Sequence, residues 1–119
     1  MWPKITPARR IDVVEGLSPV VALEEPGDYY GPVVLDGDEG RPSVWFLLPT
    51  ARNPDAQPGE RSIHRVASPP HVFRECGDGS LEIRESIGCV TPGKKQGEPG
   101  YHYWHGYLDE GNIWRQLEN

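Results

Sequence analysis

The chain has 119 residues, enough for one domain of ordinary size. Gly and Pro contribute 14 and 13 residues and only 36% of the chain is hydrophobic, which excludes a long helical bundle or a doubly wound sheet. A formal charge of −6 provides no basic stripe for phosphate, so non-specific nucleic-acid binding is excluded, and no apolar run is long enough for a membrane span.

The opening residues, with Pro3, Pro7 and Arg9-Arg10, predict an extended arm over 1–10 lying against a single β domain over 11–119. They lack the basic and then apolar regions of an export signal, so a cytoplasmic setting with reduced thiols at Cys76 and Cys89 is expected. Residues 11–14 read as a short strand. Ser18-Pro19 places an N-cap and a first-turn proline before a helix of about two turns, closed by Pro26-Gly27. The same Val20-Val21 pair also suits a strand.

Strand signals strengthen from Pro32 onward. Val33-Val34-Leu35 ends in the acidic turn Asp36-Gly37-Asp38-Glu39-Gly40. Ser43 to Leu48 carries no polar alternation, which predicts a strand covered on both faces at the centre of the fold. Residues 49–61, with Pro54, Pro58 and Gly59, form a long loop, followed by a strand over 63–67. Asp78-Gly79 marks a hairpin, because glycine accepts the positive φ of a tight reverse turn. Tyr101–Leu108, an acidic Gly turn and Ile113–Leu117 repeat the device. The expected class is mainly β: a small antiparallel sheet, sandwich or partial barrel with at most one short N-terminal helix.

Catalytic and metal signatures are weak. His64, His71, His102 and His105 with two cysteines invite a zinc reading, but twelve residues separate the cysteines and no knuckle exists. On a regular strand His102 and His105 face opposite sides, and converge only if Gly106 marks a bulge. Cys89 with His105 is the one nucleophile–base pair worth drawing. The acidic turns read as solvated carboxylates, and Asp36–Gly40 lacks the terminal glutamate of a calcium loop. No cofactor or metal is assigned.

Aromatic placement stands above this background. Tyr and Trp outside the apolar run stand out, among them Trp2, Tyr29, Tyr30, Tyr101, Tyr103, Tyr107 and Trp114. Period-2 alternation puts Tyr101, Tyr103, His105 and Tyr107 on one face, with His102, Trp104 and Leu108 on the other. Tyr and Trp combine contact area with a polar handle, the composition of interfaces, although cross-strand aromatic pairs also stabilise small sheets. The candidate binding set is Tyr101, Tyr103, His105 and Tyr107, with Arg52 and Arg61 at its rim.

Over residues 71–117, Phe73, Asp78-Gly79, Ser86-Ile87, the run from His105 to Gly111 and Trp114 resemble a group of short uncharacterised phage and bacterial β-proteins. Those proteins often carry cysteine pairs and a Cys-His dipeptide. Here Trp104-His105 stands in its place. The resemblance implies a phage or mobile-element origin and no reaction. The leading expectation is a non-catalytic accessory protein that binds a host bacterial or defence protein. The alternatives are a nucleotide-signal binder using Arg65, Arg74, Arg84 and Arg115, or a virion structural subunit.

Overall fold

The computed structural model describes residues 2–50 and 54–118. Nine strands and one helical turn follow in order: β1 (Lys4–Pro7), β2 (Arg9–Ile11), α1 (Pro19–Ala22), β3 (Asp28–Val33), β4 (Ser43–Leu47), β5 (Ile63–Ala67), β6 (Val72–Glu75), β7 (Leu81–Val90), β8 (His102–Asp109) and β9 (Ile113–Gln116). They form two sheets, β1-β9-β8-β7-β6 and β2-β3-β4-β5. Every neighbouring pair is antiparallel except β2 with β3. The mainly β expectation, with one short N-terminal helix, is met. Among the described residues no helix is long and apolar enough to cross a membrane.

The expected N-terminal arm is built into both layers. β1 closes one edge of the five-stranded sheet against β9, and one residue later β2 closes an edge of the four-stranded sheet. The helix is a single turn rather than two. Proline stands at its first turn as expected, but Leu23 breaks into extended backbone and is fully buried. The amides of Glu24 and Glu25 go instead to the Asp28 carboxylate, at 3.0 and 2.9 Å. Such local side-chain acceptors compete with continued helix.

β4 is internal, between β3 and β5, and its residues are buried on both faces apart from half-buried Trp45. One face of its sheet, with Tyr29, Val44, Phe46 and Val66, meets Leu81, Ile83, Ile87, Trp104, Leu108 and Trp114 of the larger sheet. The aromatics meet in this core: Phe46 lies 4.9 Å from Trp114, and Trp104 and Tyr29 meet Trp114 edge-on. Burying each such ring contributes roughly 1.5–3 kcal/mol. The Trp114 indole donates to Gly27 O at 2.8 Å, so the inter-sheet anchor is also oriented. Tyr29, Tyr30 and Trp114, counted from the sequence among the rings available for recognition, are therefore interior. The outer face of the smaller sheet carries a second cluster, in which Ala22 of α1 and the following Leu23 pack with Tyr30 and Leu47.

Candidate functional site

β8 runs between β7 and β9, so one of its faces is core and the other is the outside of the molecule. Trp104, Gly106 and Leu108 point inward; His105, Tyr107 and Asp109 are half-buried on the outer side. The alternation read from the sequence holds over this stretch and breaks just before it. Cys89 pairs with Trp104, yet Val90 pairs with His102, so Tyr103 is an extra residue opposite the β7 ladder. A β-bulge of this kind re-aims side chains.

Two corrections follow. Tyr103 leaves the outer row and packs against the core, its hydroxyl 3.1 Å from His64 Nε2. His102 joins His105 outside, and the two rings stack with centroids 4.7 Å apart and planes 25° off parallel. The histidines converge, but through a bulge at Tyr103 rather than at Gly106. Gly88 makes this stacking feasible, since a Cβ there would stand 2.6 Å from His102 Nε2. Tyr101 continues the row, 4.7 Å from His102. Burial and the neighbouring His102 lower the His105 pKa, which favours the neutral imidazole. Tyr101, His102 and His105 line a groove of about 530 Å³ together with Glu98 and Glu118. At the far end of the row the Arg115 guanidinium lies 4.4 Å over the Tyr107 ring and is held by Asp109 at 2.7 Å.

The inward Tyr103 completes a cluster that the sequence did not suggest. Cys89 Sγ lies 3.8 Å from His64 Nδ1, on the face opposite His105, so the Cys89–His105 pair does not form. Burial pushes the Cys89 thiol up to about 12 and the Tyr103 hydroxyl up to about 12, and lowers the His64 pKa. All three groups are neutral at pH 7, so this is a polar pin between the sheets and not an activated nucleophile. Native protein treated with iodoacetamide and mapped by mass spectrometry will show Cys89 alkylated about a thousandfold more slowly than in denatured protein. Comparable rates in the two states would contradict the assignment.

Of the two predicted rim arginines, the structure describes Arg61 and places it away from β8. Arg52 lies outside the described residues. Arg61 donates to the carbonyls of Leu23 and Val20, clasping α1 on the other sheet. The four arginines proposed for phosphate do not converge. Arg65 pairs with Asp38, Arg74 and Arg84 share Glu82, and Arg115 takes Asp109. Among the described residues, one group could offer three metal-ligating atoms within 4.8 Å: Cys76, Asp78 and Glu110. Asp78 already accepts from the Ser80 amide and hydroxyl, and Glu110 faces Arg74 at 3.8 Å. Both cysteines are free thiols.

Sequence reasoning also missed a groove of about 810 Å³ between residues 13–19 and 30–35. Its sequence signal is the valine doublets Val13-Val14 and Val33-Val34, which read equally well as strand residues. No protein-family model matches this chain, and no significant similarity to a curated protein or a solved structure is found.

Proposed function

We propose that this chain is a non-catalytic binding protein that docks a protein partner on the outer face of β8. The observation supporting this most directly is the bulge at Tyr103, which gathers Tyr101, His102 and His105 beside one groove in line with Tyr107. Half-buried rings with polar edges lose little conformational freedom on binding and supply most of the energy at protein interfaces. Glu98 and Glu118 give the groove an acidic border that complements a basic partner surface. The resemblance over residues 71–117 supports a phage-type accessory role, with a host or defence protein of the bacterial cytoplasm as that partner.

The test is affinity capture from bacterial lysate, followed by calorimetry on the captured protein. Tyr101→Ala and His105→Ala are each expected to weaken binding roughly tenfold or more, as truncation of interface anchors does. Tyr103→Phe, which keeps the buried ring, should leave it unchanged. Unaltered affinity in both alanine variants would overturn the choice of face. A nucleotide retained by the purified protein in native mass spectrometry would displace the reading altogether.

A further inference from the structure

We infer that the groove on the outer face of the smaller sheet is a second docking site, taking a short cationic amphipathic segment of a partner protein. It lies on the opposite layer from the β8 face and does not depend on that reading.

The groove arises where the chain diverges. β2 pairs with only the first half of β3, through Ile11 opposite Tyr30, and the two segments then separate. Tyr30 and Pro32 lie at the root of the cleft, Val13–Leu17 form one wall, and Val33–Leu35 form the other. Both walls are pinned. The Tyr30 hydroxyl accepts from the Val14 amide and donates to the Val14 carbonyl, each at 3.0 Å. Asp38 receives the Leu35 amide at 2.9 Å and donates its own amide to the Leu35 carbonyl at 3.0 Å. The cleft is therefore preformed, which lowers the cost of ordering on binding.

Its surface is apolar where solvent reaches it: Val13, Val14 and Val34 are 51, 54 and 56% exposed. Val20 and Val21, on the helix that leaves the rim, are exposed as well, making five of the nine exposed large hydrophobics among the described residues. A concentration of this kind marks an interaction site rather than scatter. At about 810 Å³ the cleft is within the roughly 300–1,000 Å³ range of ligand-sized sites.

The charge around it identifies the occupant. Neither 11–26 nor 28–40 contains a Lys or Arg, while together they hold eight acidic residues. Arg9 and Arg65 reach in to neutralise Asp28 and Asp38. Glu15 and Asp36, beside the exposed valines, form no ion pair with another described residue, while Asp12 lies within electrostatic reach of Arg10. An apolar cleft bordered by carboxylates such as Glu15 and Asp36 without ion pairs attracts apolar side chains interleaved with Lys or Arg, and repels an anionic lipid surface or an acidic peptide.

Fluorescence anisotropy with labelled short peptides tests this at physiological salt. The probes alternate Leu/Lys, Leu/Glu, Leu/Ser and Lys/Ser. The Leu/Lys peptide is expected to bind at least roughly tenfold more tightly than the other three. Val14→Ser and Val34→Ser, both at exposed positions, should each weaken it several-fold with circular dichroism unchanged. The double variant Glu15→Lys/Asp36→Lys should shift preference to Leu/Glu. Amide shifts in ¹⁵N spectra should centre on 13–17 and 33–35. Equal binding of Leu/Ser and Leu/Lys, or insensitivity to both valine changes, would overturn the proposal. Shifts confined to β8 would do the same.

Discussion

Gly106→Ala is expected to leave a protein that is barely folded. Gly106 sits mid-strand in β8, opposite Ile87 on one side and Gln116 on the other. A Cβ there would stand 2.3 Å from the Arg115 carbonyl oxygen, 3.0 Å from Gln116 Cα and 3.0 Å from the Trp104 ring. The first two are ladder backbone, which cannot yield without moving β9 away from β8. The third is a fully buried indole wedged against Trp114 and Phe46. Overpacking of this severity costs about 3 kcal/mol or more, a large share of the roughly 5–15 kcal/mol that holds a domain together. Urea denaturation followed by tryptophan fluorescence reads the effect. Gly77→Ala is the control, because nothing lies within 4 Å of its added carbon. Similar midpoints for the two variants would show that the sheet accommodates the methyl group.

Asp28→Asn should be the second most damaging change, and its cost should depend on pH. The Asp28 side chain is 1% exposed, and Arg9 donates to its two carboxylate oxygens at 2.9 and 2.7 Å. The Glu24 and Glu25 amides complete its shell. Burial pulls the carboxyl upward, but the guanidinium and the two amides outweigh it and hold its pKa below the usual carboxylate range. A folded-state pKa below the unfolded value of about 3.9 stabilises the native state at pH above that value, and the contribution is lost as pH falls through the folded pKa. Near neutrality the asparagine variant should lose about 2–4 kcal/mol, since it replaces charge-assisted bonds and turns an amide donor toward other donors. Glu75, Asp78 and Glu82 are also held low. Wild type will therefore still weaken in acid, and the difference between the two stability curves isolates Asp28. A difference that stayed constant from pH 7 to pH 2 would refute this account.

What could be read from residues alone was what local chemistry decides. Asp78-Gly79 and the acidic turn before Ile113 locate their hairpins because the turn residues themselves demand it. The run from Ser43 locates β4 because a strand covered on both faces has no polar side to show. What escaped depends on partners far along the chain. The bulge at Tyr103 is a property of β7 and β8 together, clamped beyond the ladder by Thr91, whose amide and hydroxyl go to the carbonyls of Tyr101 and Gly100. No period within 101–108 announces it, so alternation alone places Tyr103 in the row of rings and leaves His102 out of it. The link from His64 to Cys89 and Tyr103 is invisible in the sequence because they are 25 and 39 residues away. Apolar doublets at Val13 and Val33 looked like strand interiors, whereas both strands end short of them or at their edge.

The pairing of Lys4 with Gln116 carries a consequence for biogenesis. During synthesis β1 has no partner until β9, far along the chain, emerges from the ribosome, since among the described strands β1 pairs only with β9. One residue on, β2 already has a nearby mate in β3. The smaller layer can thus assemble while translation continues, with Lys4–Pro7 an unsatisfied edge until the distant β9 is available to seal it.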